Sequence, residues 1–402
     1  MGSPNLPIGE RVRYWREKKQ RKQAAVAGLC GITEEYLSQI ERGLKVPSLP
    51  VLHSLAVELG VPMSALLGEL NRSEPPARAA DVDPHVVSAL LGYRLPCGPE
   101  PTPTALLRDR VEAAWRMWQT SPTRFTDAAA VLPGLISDLE RAVQAVRLGA
   151  DDSARREVQR VAADLYFMLR SYCRRVGRVD LSLMAADRAL RAAEEADDPI
   201  RIGAARWNLG HVLLASAEHE AAEQIAALGI RQLAQAAPED ANAVALAGAL
   251  ELIAVVADSR RKRWTKARDR LFTRATAQAQ QAGEGNVMWT VFGPTNVELH
   301  SMSIDMEAGK AAEALRLADQ IDASRLPSIE RRFTFQLEVA RCHDIRREDP
   351  AVLVHLLDLE RLAPEDLTRS PLAQDIITRL RRRVRPTYRR QVNALAQRLQ
   401  VP

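Results

Sequence analysis

The chain has 402 residues, 46% hydrophobic and 27% charged, with 4% aromatics, a net charge of +5 and a pI near 9.1. That composition excludes a disordered polymer and suits two or three domains of ~150 residues each. The mild positive charge permits nucleic-acid binding without demonstrating it. Ala, Leu and Arg are abundant, which favours helix. No run of 18 apolar residues and no signal-peptide core occur, so a soluble, cytoplasmic protein with no membrane span is expected. The four cysteines, Cys30, Cys97, Cys173 and Cys342, lack zinc or redox spacing and read as free thiols of a reducing compartment.

From the N-terminus, Ile8, Val12 and Trp15 recur at helical spacing, with Arg and Lys opposite. Gln23–Cys30 follows as a second short helix. Gly31 supplies the turn, since glycine adopts positive φ at little cost. Thr33 is a suitable N-cap for a third helix over Glu34–Arg42, with Leu37 and Ile40 inward and Gly43 as its stop. Ser48 is expected to cap a fourth helix carrying Leu52, Leu55, Ala56 and Leu59. Gly60 ends it, and Pro62 opens a fifth helix through Leu67. These pieces make one compact domain over residues 8–68. Residues 69–103, with Pro75-Pro76 and a proline-rich end, are expected as a linker interrupted by a short helical piece near Val86–Leu91.

From Thr104 onward helix follows helix, broken near Pro122, Gly149–Asp152, Gly177, Asp197–Pro199, Pro238, Gly283–Gly285, Pro327, Asp349-Pro350, Pro364 and Pro386. The spacing predicts helical hairpins repeating at about 35–45 residues, the mark of an α-solenoid. Leu209, Gly210 and Leu213, then Ala222, Ala226 and Gly229, match the tetratricopeptide pattern of small residues that let two helices approach. Gly309, Ala314 and Ala318 give a second such unit.

Gln23, Ala27, Gly31, Leu37, Ile40-Glu41-Arg42-Gly43, Pro47-Ser48 and Leu59-Gly60-Val61 together resemble the Xre/Cro repressor-type helix-turn-helix family. The resemblance implies a double-stranded DNA partner. A recognition helix presents its N-terminal residues to the major groove. Here those are Thr33, Glu34, Glu35 and Tyr36, with Ser38 and Gln39 a turn later. Gln39 suits adenine, and a glutamate can accept from cytosine N4. Gln23 is placed to bond a phosphate or to orient a recognition side chain, and Arg42 and Lys45 suit phosphate contact. Glu34 and Glu35 depart from the family's usual Ser, Gln, Arg or Asn. They either read cytosine or simply complement the helix dipole.

Residues 104–402 resemble the tetratricopeptide-like part of actinobacterial Xre-type regulators, carried by 113–143, RWNLGHVLL at 206–214 and GEGNVMWTVFGPTNVELH at 283–300. The resemblance implies a concave face that holds an effector or mediates dimer contacts. Two polar clusters are candidate effector sites: Arg206, Asn208 and His211, and Asn286, Trp289, Asn296 and His300. Aromatics beside amides and a histidine suit a small-molecule or peptide pocket, and the same residues also suit packing and capping. The arginine run from Arg379 to Arg385, with Arg389 and Arg390, reads as a DNA-backbone or acidic-partner contact, or as a solvated helix face. No nucleophile elbow, metal motif or phosphate loop occurs, so no catalytic residues, metal or cofactor are expected.

The fold class expected is all-α: a five-helix, lambda-repressor-like DNA-binding domain followed by an α-solenoid of tetratricopeptide-like hairpins. The function expected is sequence-specific transcriptional regulation by a homodimer, because one small reader covers too few base pairs for genomic specificity. The alternative is a solenoid adaptor carrying a vestigial DNA-binding domain.

Overall fold

The computed structural model describes residues 8–61, 63, 66, 82–92, 100–147, 149 and 151–401. Among them every regular element is helical, and the chain divides into two compact units, Met1–Ala79 and Ala80–Pro402.

The first unit holds α1 (Ile8–Lys18), α2 (Gln23–Leu29), α3 (Glu34–Glu41) and α4 (Leu49–Leu59). Its core is Val12, Val26, Ala27, Leu37, Leu52, Leu55, Ala56, Leu59 and Leu66, all nearly or fully buried. Gly31 has φ +68° in the turn between α2 and α3, where an L side chain would be strained. Thr33 accepts a hydrogen bond from the Tyr36 amide at 3.2 Å and so caps α3. Ser48 occupies the N-cap position of α4, but its side chain makes no cap bond, and Pro50 in the first turn leaves one amide fewer to satisfy. The expected fifth helix falls largely outside the described residues, apart from Met63 and Leu66. Residues 69–81 and 93–99, including Cys97, also lie outside them.

The second unit opens with α5 (Pro84–Leu90). Sequence reasoning places this segment inside the linker, and the structure corrects that. Val86 and Leu90 are completely buried in the second unit's core, and Arg188 donates to the Leu90 carbonyl at 2.9 Å. Seven long helices follow: α6 (Thr104–Thr120), α7 (Arg124–Arg147), α8 (Asp152–Arg175), α9 (Val179–Glu195), α10 (Pro199–Ala215), α11 (His219–Ala236) and α12 (Ala241–Arg260). The expected breaks coincide with their ends for chemical reasons. Asp151 caps α8 through the Ser153 and Ala154 amides, and Asp198 caps α10 through the Arg201 amide.

Each helix packs chiefly on its sequence neighbours, and α10 packs on α12 as well, which is solenoid order. Small residues set the spacing. A β-carbon on Gly210 would meet Ile253 at 2.8 Å, and one on Gly229 would meet Leu250 at 2.8 Å. Ala222 and Ala226 are fully buried between them. Helix α12 is long and apolar enough to cross a membrane by length and composition, but 78% of that window is buried inside the protein. It is the core helix of the solenoid, and its Glu251 and Asp258 pair with Arg270 and Lys266.

Beyond α12, α13 (Trp264–Arg270) passes through a wider π turn, Leu271–Ala275, into α14 (Thr276–Ala282). A loop then leads to α15 (Pro294–Glu307). The ring of Phe292, 1% exposed, fills the notch that Gly248 leaves in α12; a β-carbon there would sit 2.0 Å from the ring. Gly248→Ala is therefore expected to lower stability by about 1–3 kcal/mol through overpacking. Thermal melts should show the loss, and adding Phe292→Leu should recover part of it.

The unit ends with α16 (Ala311–Ala318), α17 (Ile329–Arg346), α18 (Asp349–Leu362), α19 (Pro364–Arg369), α20 (Pro371–Arg383) and α21 (Pro386–Arg398). This end returns to the beginning of the solenoid. Arg124, wholly buried, donates from Nε to Asp366 at 2.9 Å and also through Nη2. Glu365 accepts from the Phe125 amide at 2.7 Å, placing a carboxylate at the α7 N-terminus where the helix dipole favours it. The Arg124 guanidinium lies 4.3 Å from the Trp118 ring centroid.

Candidate nucleic-acid interface

A short recognition helix can read bases only if the rest of its domain holds it still. Here the hold is a buried ion pair. Arg16 of α1 donates to Glu41 of α3 through Nε at 2.6 Å and Nη2 at 2.8 Å, and through Nη1 to the Arg21 carbonyl at 3.0 Å. Gln23, first residue of α2, donates to the same carboxylate at 2.6 Å. Glu41 is 3% exposed and Arg16 9%. One carboxylate thus ties three helices together. The Gln23 amide is engaged with Glu41, a buried residue outside the expected base-reading set.

The outer side of α3 carries Glu34 and Ser38, which line one concavity with Arg13, Lys22, Gln23 and Arg42. Glu34 and Glu35 are exposed in the first turn of α3, beside its free amides. Gln39 donates to Glu35 at 3.5 Å, the long limit of a hydrogen bond. Lys45 lies 6.0 Å over the Tyr36 ring, and Arg42 donates to the Ser38 carbonyl at 3.3 Å. Within this basic flank, Glu17 is held below the usual carboxylate range by its hydrogen bond with Arg13.

In the second unit the structure divides the candidate effector residues, correcting their expected grouping into two clusters. Arg206 points toward Glu194, Ile202, Gln232 and Leu233, away from its neighbours in sequence, and two of its nitrogens are buried without a partner. Helical geometry explains the split: residues two apart on a helix face different ways. Asn208 is 1% exposed and fully engaged, accepting from Arg170 Nε at 2.6 Å and donating to the Ala204 carbonyl at 2.8 Å. His211 meets the Trp207 ring edge-on at 4.4 Å.

The 283–300 residues separate in the same way. Asn286 donates to Gln119 at 2.7 Å, and Trp289 stacks on Trp115 with ring centroids 4.5 Å apart. Met288, Trp289 and Val291 all have positive φ, a strained run held by these contacts. Asn286 and Trp289 line a cavity of about 340 Å³ with Glu112, Arg116 and Gln119. Asn296 and His300 lie further along α15. Asn296 is 2% exposed, and among the described residues its Oδ1 has no donor.

His211 and His300 instead lie near a charged cluster that sequence reasoning missed. Its members are Arg170, Arg174 and Arg175 of α8, and Glu330 and Arg331 of α17. Glu330 accepts from Arg124 at 3.3 Å, from Arg174 at 3.4 Å and from Arg175. Arg174, Arg175, Glu330, Arg331, His211 and His300 are partly exposed, whereas Arg170 is buried. Burial, then Arg170 and Arg174, hold the His211 imidazole well below its ordinary range, and burial with Arg331 pushes His300 down to about 3. Glu330 lies well below the carboxylate range against the burial penalty, because Arg175, Arg124 and Arg174 surround it. The signal in the sequence was Arg170 within the apolar run Leu165–Cys173, a charge in a helix buried on every side.

The arginine run of α20 is largely engaged within the unit. Arg379 and Arg383 both donate to Asp344 at 2.7 Å, and Arg383 also to Asp349 at 2.8 Å.

The comparisons settle the first unit. A model described as a helix-turn-helix domain matches residues 7–70. The N-terminal unit is a helix-turn-helix domain. The chain is 33% identical over 64 residues to the immunity repressor protein of Bacillus phage phi105, a match covering 16% of this chain and 44% of that protein. It is 34% identical over 68 residues to the HTH-type transcriptional regulator SinR of Bacillus licheniformis, covering 17% and 61%. The chain thus spans about half the length of the curated relatives it matches. Among solved structures, Bacillus thuringiensis PlcR in complex with the peptide PapR7 and DNA is 13% identical, with 68% of this chain and 94% of that chain covered and a TM-score of 0.29.

Proposed function

We propose that this chain is a sequence-specific DNA-binding transcription regulator of the cytoplasm, acting as a homodimer, whose helical unit senses a small molecule or peptide. The observation that carries the reading is the recognition helix itself. It is capped by Thr33, locked from behind by Arg16, Glu41 and Gln23, and turns Glu34, Glu35, Ser38, Gln39 and Arg42 outward. A dimer would place two such helices in successive major grooves, about 34 Å apart or a multiple of that.

The variants that test the reading differ in what they should change. Arg42→Ala should weaken binding to all duplexes alike and reduce the salt slope by about 1. Gln39→Ala should cost about 1–3 kcal/mol at one base pair and relax preference there. Anisotropy titrations across a set of single-substitution duplexes distinguish these patterns. Identical profiles for both variants would overturn the assigned roles.

A further inference from the structure

The charged cluster of α8 and α17, beside His211 of α10, carries a charge imbalance among the described residues. Five guanidiniums gather there: Arg124, Arg170, Arg174, Arg175 and Arg331. The carboxylate at their centre is Glu330, already shared by Arg124, Arg174 and Arg175. Asp366 is taken by Arg124. Glu338, two turns along α17, accepts from Ser303, and burial pushes its carboxyl up to about 7, so it offers little negative charge near neutrality.

Arg170 and Arg331 therefore stand apart. Among the described residues neither has a carboxylate within ion-pair distance. Arg170 is 2% exposed; its Nε meets only the neutral Asn208 amide, and its guanidinium lies 5.4 Å from the Trp207 ring centroid. The Nε atoms of Arg174 and Arg175 are buried and unpaired as well. A buried cation is ordinarily neutralised by a partner, because removing charge from water is costly unless an opposite charge replaces the lost hydration. Arg170 sits between Leu169 and Ser171, within the buried stretch Val161–Cys173 of α8, whose one acid, Asp164, is already paired with Arg201.

The geometry points to an anion-binding site at this cluster, in which the Arg170, Arg174 and Arg331 guanidiniums and the His211 imidazole take a compact carboxylate or phosphate group. Arginine forks match either group in bidentate geometry. Asn208 holds the Arg170 fork in place, and Trp207 supports both Arg170 and His211 from the side. A neutral imidazole has one N–H to donate, which adds a hydrogen bond without adding to the like-charge crowding. The inference rests on the regulator reading only in calling the anion an effector; the site itself does not depend on DNA binding.

Thermal melts of the full-length protein test it, with inorganic phosphate and succinate as probes and sodium chloride matching the ionic strength. At about 20 mM, at least one probe is expected to raise Tm by about 2–5 °C over chloride. The larger shift tells phosphate from carboxylate chemistry. Arg170→Gln and Arg174→Gln should each abolish the shift. Arg174 is half-buried, so its variant still decides the matter if circular dichroism shows that Arg170→Gln does not fold. No shift with either probe in the parent, or an undiminished shift in Arg174→Gln, would overturn the site. DNA binding measured in parallel keeps the two readings apart. Anion stabilisation without DNA binding removes the regulator reading and leaves the site; DNA binding without stabilisation does the reverse.

Discussion

Replacing Glu41 by alanine is expected to unfold the helix-turn-helix unit while leaving the second unit folded. The carboxylate is 3% exposed and receives two bonds from Arg16 and one from Gln23. Its removal strands the Arg16 guanidinium inside the unit and frees the end of α3 from α1 and α2. Breaking such a buried pair from one side costs about 3–5 kcal/mol, comparable with the whole stability of a domain of ~60 residues. Two-phase melting or limited proteolysis should show loss of the N-terminal transition alone, with DNA binding lost alongside it. Replacing both partners by apolar residues, Arg16→Met with Glu41→Leu, should recover much of the stability, because no charge is then left buried. A single variant that melts like the parent would show that the network does not hold the recognition helix.

Asp366→Ala is expected to be the most damaging single change in the second unit, at about 3 kcal/mol. Arg124 is fully buried between Trp118, Phe125 and Asp366, and its remaining acid is Glu330 at 3.3 Å. The pair joins positions 242 apart in the chain. Losing it removes both a charge partner and the tie between α7 and α19. Chemical denaturation should show the loss. Arg155→Ala, which breaks the exposed Arg155–Asp152 pair, should change stability by less than about 0.5 kcal/mol. Equal effects of the two variants would mean that the Arg124 contact is no more than a surface pair.

These two contacts also mark where the sequence is readable and where it is not. The helix ends were visible because Asp151, Asp198, Gly31 and the prolines act on their own neighbours, through caps and fixed φ. The close approach of α10, α11 and α12 was visible in Gly210, Ala222, Ala226 and Gly229, since small residues at helical spacing mean contact. The identity of the first unit was visible because its turn, cap and core all fall within one short stretch. The Arg124–Asp366 tie was not, because no local rule pairs residues so far apart. The segment Pro84–Leu90 read as linker because a seven-residue helix flanked by prolines has too little periodicity to reveal which core takes Val86 and Leu90. The effector residues were chosen by type, and type did not reveal that Asn208 is engaged by Arg170 or that Trp289 stacks on Trp115. The charged cluster was hidden for the opposite reason: arginines are so common in this chain that the buried ones did not stand out.

Fluorescence anisotropy with the full-length protein decides whether the recognition helix reads sequence. The probes are a labelled duplex from the gene's own upstream region and a scrambled duplex of equal length and composition, titrated at low and moderate salt. The upstream duplex is expected to bind about 10³-fold or more tightly than the scrambled one, with both affinities falling as salt rises. Equal affinity for the two duplexes, or no binding to either at low salt, would contradict sequence-specific DNA reading by this chain.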